Sequence, residues 1–441
     1  MARRNALLAS RSAEVALAAI KHPLQQRACS VVADLIGELR GLTDHAGYYK
    51  FQERLFGEIY KAQEYQAEVS RNMKRLAKGS SVPNPPVETW EVEQVVIDRV
   101  VRQLRAVGDA LAWHVFNFDR RAIIALANND QSGPMVGKVG LEYEKTKLAE
   151  IWTREGVFAL MHDLTNCIRI GDVTKFGKDQ TTVIEVKKNL KTGSSAQMAR
   201  LRAVFASLMH GAPMPAGEET TALEKVLTQF KSHLGKSLGG AIAAADVAGS
   251  ASIVIGSQWV VNCASVSGLL TEGVSLLPEE VAKPKAAAFV RANMSHSMHH
   301  LQVPRSVDQA GRAAWIAPFT VFPFSPEICA RLTCDYLTYD AVIAYERLES
   351  AFQAEGFRVQ CCLPPTHTLP PGAPEDTVML ARRKDRGIFL RQPTVIHILI
   401  ELVDPRRFAV GVAELLAKVA VASGEGPSGI FTFSNERAVW R

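Results

Sequence analysis

The sequence contains few of the features that mark secreted, zinc-binding or membrane-spanning proteins. Its seven cysteines are odd in number and include no Cys-x-x-Cys pair, which argues against a disulfide framework or a zinc ribbon and indicates a reducing compartment. The best candidate for a membrane span, 239–261, is interrupted by Asp246. Arg11 and Glu14 break the apolar N-terminal run, which argues against a signal peptide. We therefore expect a soluble, cytoplasmic protein that does not enter a membrane.

The composition is that of an ordinary globular protein. The 441 residues are 47% hydrophobic and 22% charged, so the chain can build a sizeable core, and its length suits two or three domains. The formal net charge of +6 is mildly basic, which permits nucleic-acid binding without requiring it. Internal repeats and low-complexity tracts are absent from the sequence.

Residues 1–130 are predicted to form an α-helical N-terminal region. Apolar residues recur at three- and four-residue spacing over 47–78 and again over 90–118, and the proline-rich stretch 79–86 separates the two runs. Two long helices joined by a short turn form an antiparallel hairpin. This hairpin is either an arm that binds a protein partner or a second copy of the chain, or a helical subdomain packed on the rest of the protein.

Two further regions follow. Residues 131–275 are predicted to form a core region with a helical insertion, and 276–441 a C-terminal α+β region that serves docking or dimerisation. Within the last region, 334–354 has the pattern of a helix. The stretch 133–138 (GPMVGK) faintly resembles a phosphate loop, but its gap is one residue short and no Ser or Thr follows Lys138, so it is not a nucleotide site.

The stretch 171–189 places acids on two neighbouring strands. Apolar residues lead into Asp172, a polar turn follows, and 181–186 is β-branched except for Glu185. The period-two geometry of a strand places Lys187 on the same face as Glu185. Two carboxylates can share a hard divalent cation, and an adjacent ammonium can position water and offset charge on a phosphate. The alternative is an ordinary turn acid with a salt bridge across one face of a strand.

Asp172 and the Glu185-Val186-Lys187 tripeptide resemble the motif of the PD-(D/E)xK nuclease superfamily. The proline that usually precedes the Asp is Gly171 here. A predicted helix over 140–155 and a strand over 157–161 precede the motif, which is similar to the helix, strand, strand, strand order of the family. The resemblance covers 139–209, with 252–264 as a candidate further strand.

The resemblance implies an α/β restriction-endonuclease-like core in a protein that is α+β overall, and it implies a site. Glu144 lies on the apolar stripe of the predicted helix and corresponds to the helix-borne Glu of the family, with Glu142 in reserve. The family's chemistry implies Mg²⁺ or Mn²⁺ held by Asp172, Glu185, the Val186 carbonyl and Glu144, with Lys187 orienting the attacking water. On the predicted helix 194–209, Gln197 resembles a catalytic glutamine. The basic residues expected to contact the nucleic-acid backbone are Lys188, Lys191, Arg200 and Arg202.

We therefore expect a metal-dependent nuclease that acts on DNA. An RNA-cleaving effector with the same residues and a catalytically idle nuclease fold that binds partner proteins are the alternatives. The sequence contains no helix-turn-helix or zinc finger that would read bases, so substrate shape or a partner would supply selectivity. A role as an effector in prokaryotic antiviral defence is a hypothesis that follows from this lack of a reader.

Overall fold

The computed structural model describes residues 15, 18–78, 87–118, 122–123, 126–127, 133–177, 181–186, 232–265, 278–294, 300–302, 317–363, 369, 373, 375–384, 386–391, 395, 398–399, 403–422 and 430–432. Over these residues the protein combines helices with small sheets. The expected α+β class is thereby confirmed at this coarse level.

The chain divides into two compact units, and each is built from separate stretches of sequence. The first comprises 1–115, 126–201 and 318–336, and the second comprises 116–125, 202–317 and 337–441. The helical region and the strands that follow it therefore belong to one unit, whereas the sequence predicts a boundary near residue 130. The predicted boundary near 275 falls inside the second unit.

Three long helices begin the first unit: α1 (Pro23–Arg40), α2 (His45–Ala77) and α3 (Val87–Val115). At the start of α2, Asp44 accepts a hydrogen bond from the backbone N–H of Gly47 at 2.7 Å, which satisfies one of the unpaired donors of the first turn. Helices α2 and α3 pack against each other and bury apolar residues at helical spacing. These include Phe51, Leu55, Ile59, Val69, Val100, Leu104, Val107 and Leu111.

A shorter helix and three strands complete the part of the first unit that carries the candidate site. They are α4 (Leu141–Glu155), β1 (Ala159–Met161), β2 (Val173–Phe176) and β3 (Thr181–Ile184). The strands form an antiparallel sheet in the order β1-β2-β3. Because Val173 pairs with Ile184, the residues just before β2 lie beside the residues just after β3.

Two glutamines of α2 hold backbone groups of this core in place. Gln52 donates to the carbonyl of Ala159 and accepts from the N–H of Met161, both at 2.9 Å. Gln63 accepts from the N–H of Met135 at 2.8 Å, in the loop before α4. Both glutamine side chains are buried, so their hydrogen bonds satisfy polar groups that would otherwise be costly to bury.

Helix α3 fixes the segment between β1 and β2. Asp109 accepts from the N–H groups of Asn166 and Cys167 at 2.7 and 2.9 Å. At Gly108 a Cβ would lie 1.8 Å from the carbonyl oxygen of Leu164, so this close approach requires glycine. The helical region is therefore packed on the strands of its own unit, which is one of the two alternatives left open by the sequence.

The other α-helices and strands, in chain order, are α5 (Ser232–Ala248), β4 (Ser250–Val254), β5 (Trp259–Ser265), α6 (Pro278–Arg291), β6 (His300–Gln302), α7 (Pro326–Thr333), β7 (Leu337–Ala344), α8 (Tyr345–Ala354), β8 (Arg358–Cys361), β9 (Thr377–Arg383), β10 (Arg386–Arg391), α9 (Pro405–Ala422) and β11 (Ile430–Thr432). Of these, α7 belongs to the first unit. The second unit contains one sheet in the order β4-β5-β7-β6 and another in the order β11-β10-β9-β8. No described helix combines the length and apolarity needed to cross a membrane.

Two sequence-based expectations about the second unit are wrong. The stretch 252–264 does not extend the β1–β3 sheet, because β4 and β5 pair with each other and β5 pairs with β7. The helix predicted over 334–354 starts at Tyr345, and Leu337–Ala344 before it is strand β7. That strand is hydrogen-bonded on both sides, by β5 and β6, and sheet pairing of this kind overrides a local helical pattern.

Candidate functional site

The turn that carries Asp172 has a backbone conformation suited to glycine. Gly171 has a φ of +80°, and a Cβ at this position would lie 2.5 Å from Cγ1 of Val183. Proline fixes φ near −65°, so the proline usual before this Asp in the resembled motif could not adopt this conformation. The N–H of Asp172 donates to the carbonyl of Ile184 at 3.0 Å, which ties the residue to the end of β3.

A buried histidine supports the same turn. One ring nitrogen of His162, Nδ1, lies 2.9 Å from the carbonyl of Gly171, and Nε2 lies 2.7 Å from the hydroxyl of Thr174. Burial lowers the pKa of His162 to about 4, so the ring is neutral at pH 7. Because a carbonyl can only accept, Nδ1 carries the proton and Nε2 accepts from the threonine hydroxyl. His162 therefore contacts residues on both sides of Asp172, through the backbone of Gly171 and the side chain of Thr174.

The end of β3 meets the Asp172 carboxylate. The N–H of Val186 donates to Oδ2 of Asp172 at 2.7 Å. This hydrogen bond fixes one of the two oxygens of the Asp172 carboxylate. Glu185, half-buried, lies one residue before this contact. Asp172 and Glu185, the two acids of the predicted motif, therefore lie beside the same cross-strand hydrogen bond. Asp172 is its acceptor, and Glu185 is one residue before its donor.

Glu144 is a buried acid on the apolar face of α4. That face also buries Leu141, Leu148 and Ile151, and the Glu144 side chain is only 2% exposed. Oε1 of Glu144 contacts Nζ of Lys138 at 2.6 Å, whereas Oε2 meets no hydrogen-bond donor among the described residues. A buried carboxylate oxygen without a donor is costly and calls for an explanation.

Lys138 gathers three acids around its ammonium group. Nζ lies 2.6 Å from Glu144, 2.7 Å from Asp163 and 3.9 Å from Asp172. The acids come from three different elements: Glu144 from α4, Asp163 from the single turn that follows β1, and Asp172 from the residue before β2. We refer to Lys138, Glu144, Asp163 and Asp172 as the acid cluster.

The pKa values in the acid cluster reflect burial and charge together. Burial raises the pKa of Glu144 to about 7; the nearby acids Asp163 and Asp172 act in the same direction, while the hydrogen bond from Lys138 opposes them. Burial alone would lower the pKa of Lys138, but its hydrogen bonds to Asp163 and Glu144 outweigh burial and raise it. A carboxyl that titrates near neutral pH beside other acids is typical of functional sites.

The acids of the acid cluster offer the type of ligand atom that a hard divalent cation prefers. These atoms are carboxylate oxygens, which Mg²⁺ and Mn²⁺ prefer, and one of them, Oε2 of Glu144, is buried and without a donor. Across the part of the chain that the structure describes, no three His, Cys, Asp or Glu side chains are already arranged to hold a metal ion. The Lys138 ammonium lies among the carboxylates that would have to converge.

The other residues of the predicted site have different positions. Glu142, the reserve for Glu144, is 78% exposed and pairs with Lys145 at 3.2 Å on the outer face of α4. The remaining predicted site residues lie outside the described residues: Lys187, Lys188, Lys191, Gln197, Arg200 and Arg202.

Sequence analysis missed two residues of the acid cluster. Lys138 ends the GPMVGK stretch, and a lysine in a glycine-rich loop just before a helix that carries acids is a usable signal. Asp163 carries no such signal, because it follows a three-residue strand and lies nine residues before Asp172 without any repeating spacing. Only the fold of the β1–β2 connection brings it to the cluster.

No protein-family model, curated protein or solved structure matches this chain.

Proposed function

We propose that this protein is a divalent-metal-dependent nuclease with a restriction-endonuclease-like core of the PD-(D/E)xK class, and that its substrate is DNA. The observation that carries the proposal is the acid cluster, in which a buried Glu144 on a helix and Asp172 at a strand start both face the Lys138 ammonium. The order helix α4, then strands β1, β2 and β3, supports it, because the motif residues fall at the adjoining ends of β2 and β3.

The residues have separate roles in this proposal. Asp172, Glu144, Glu185 and Asp163 would hold Mg²⁺ or Mn²⁺, and the bound metal would supply Lewis-acid polarisation of the scissile phosphate. The N–H of Val186 orients the Asp172 carboxylate. Lys187 follows Glu185 by two residues in the sequence, and its proposed role is to orient the attacking water.

DNA is proposed as the substrate because of the family resemblance and because the chain carries a net positive charge. The net charge of +6 suits a polyanion, and four basic residues follow the motif in the sequence: Lys188, Lys191, Arg200 and Arg202. Purified protein should be incubated with labelled single- and double-stranded DNA and RNA in Mg²⁺ and in EDTA. Cleavage of DNA in Mg²⁺ alone is the expected result, and cleavage confined to RNA would reassign the substrate.

A paired set of variants tests whether the acid cluster is responsible. Asp172→Asn is expected to lower the cleavage rate by about 100-fold or more, since several kcal/mol of transition-state stabilisation depend on the metal. Glu150→Gln is the matched control, because Glu150 lies on α4 and pairs with Lys147 and Arg154 instead of the cluster. Equal activity of the Asp172 variant and the wild type would place the active site elsewhere.

A catalytically idle fold that binds other proteins is the second candidate. It is favoured by the Lys138 ammonium, which already neutralises part of the acid cluster without a metal. The two candidates differ in metal binding. A nuclease must bind Mn²⁺ or Mg²⁺ at the cluster and cleave, whereas the idle fold should neither cleave any polynucleotide nor lose metal affinity on Asp172→Asn.

A further inference from the structure

Lys138 occupies a central position among the acids. Its ammonium contacts carboxylates of Glu144 and Asp163 at hydrogen-bond distance and lies 3.9 Å from Asp172. These acids would repel one another if nothing of opposite charge lay between them. The Lys138 ammonium therefore holds together carboxylates that belong to three separate elements.

The backbone around Lys138 is fixed, while its side chain is suited to movement. Arg105 donates to the carbonyl of Gly133 at 2.6 Å, and the N–H of Met135 is bound by Gln63, so the loop is attached to α3 and α2. The Lys138 side chain is 30% exposed, which gives it access to solvent. A lysine side chain has four flexible methylenes, so the ammonium can leave the cluster without a change in the loop.

Glu144 shows that the ammonium leaves part of the cluster unsatisfied. Oε1 is bound by Lys138, but Oε2, on a side chain 98% buried, meets no donor among the described residues. An ammonium has only three N–H groups directed along fixed bonds, whereas a divalent cation accepts oxygens from all sides and carries twice the charge. A metal ion between the acids would satisfy what Lys138 does not.

We propose that the Lys138 ammonium takes the place of the divalent cation in the metal-free protein, keeps Glu144, Asp163 and Asp172 together, and is displaced into solvent when the cation binds. This deepens the proposed function, because it rests on the same metal site and adds how that site is kept assembled and exchanged.

Metal titration of two lysine variants tests the exchange. Lys138→Met removes the charge and keeps a side chain of similar length, so Mn²⁺ measured by calorimetry should bind at least about tenfold more tightly than to wild type. Lys147→Met is the matched control, because Lys147 pairs with Glu150 on α4 away from the acid cluster, and it should leave the Mn²⁺ affinity unchanged. An unchanged or weaker affinity for Lys138→Met overturns the proposal.

A second measurement uses the wild-type protein and does not depend on a folded variant. Lysines are acetylated briefly with and without Mn²⁺, and the modified positions are quantified by mass spectrometry. Displacement should increase the acetylation of Lys138 several-fold in Mn²⁺. Lys175, which pairs with Glu155, is the internal control and should not respond. Equal or lower modification of Lys138 in Mn²⁺ contradicts the exchange.

The outcomes separate this inference from the proposed nuclease activity. Tighter Mn²⁺ binding by Lys138→Met together with no cleavage of any polynucleotide would retain the exchange and reject the nuclease. Metal-dependent cleavage with an unresponsive Lys138 would retain the nuclease and reject the exchange.

Discussion

Each unit of this protein places a partly exposed lysine against a buried carboxylate, and the two arrangements differ in their surroundings. In the second unit, Lys285 of α6 contacts Asp340 of β7, a side chain with no exposed surface. Its neighbour across the sheet is Asn262, which in turn accepts from the Ser252 hydroxyl at 2.6 Å. The groups next to the Lys285–Asp340 pair are therefore neutral and polar. In the acid cluster of the first unit, by contrast, three acids surround one ammonium.

The difference bears on the role that we propose for each arrangement. A buried acid matched by one base beside neutral groups is what burial of charge requires. Several acids brought together in a partly accessible place destabilise the fold, and proteins keep such clusters chiefly where function needs them. The acid cluster is 20–30% exposed at Lys138, Asp163 and Asp172, so solutes can reach it. We therefore propose that the first unit carries the chemistry and that the Lys285–Asp340 pair has a structural role.

Breaking the structural pair should have the largest effect on stability. Lys285→Ala leaves the Asp340 carboxylate buried without its base, and we expect a loss of about 3–5 kcal/mol in the free energy of unfolding, measured by chemical denaturation. The double variant Lys285→Met, Asp340→Leu should recover most of this loss, because apolar groups replace both charges. A single variant as stable as the wild type would contradict a structural role.

The strand start that carries Asp172 should be nearly as sensitive. Gly171→Ala places a methyl group against Val183 at a positive φ, and we expect a loss of about 2 kcal/mol or more in unfolding free energy. Gly57→Ala is the matched control within α2, where a Cβ meets nothing within 4 Å. It should gain about 0.5–1 kcal/mol because alanine favours helix. Equal effects of the two substitutions would contradict the constraint at Gly171.

The smallest expected change in stability is a gain, from removing the Glu144 carboxylate. Folding raises the pKa of Glu144 from 4.5 to about 7, so the folded protein holds a proton that the unfolded chain releases, and stability is lost as the pH rises through this window. Glu144→Gln removes that loss. Metal-free Glu144→Gln should be more stable than wild type by on the order of 2 kcal/mol at pH 8 and nearly equal to it at pH 4.5.

Thermal and chemical denaturation in EDTA at the two pH values would measure this gain. Glu150→Gln, on the same helix and ion-paired at the surface, should show no comparable gain at pH 8. A Glu144 variant that is less stable than wild type at pH 8 would mean that the carboxylate serves structure, as Asp340 does.

Local pattern predicted much of the first unit. The apolar spacing over 47–78 and 90–118 corresponds to helices α2 and α3, and the placement of Glu144 among Leu141 and Leu148 anticipated its burial. These features depend on residues three and four apart, which a helix brings to one face whatever the rest of the chain does. The pattern failed for 334–354, and for 252–264 it predicted strand correctly but not the sheet, since strand pairing depends on distant partners.

The sequence alone determined that Asp172 and Glu185 belong to adjoining strand ends and that Glu144 faces inward, because helix and strand periods fix these relations locally. The tertiary structure decided that Lys138 and Asp163 join them, because a loop anchored by Gln63 and a turn fixed by Asp109 come together only when α2 and α3 pack on the strands. Contacts between such separated segments follow from packing, which no short pattern encodes.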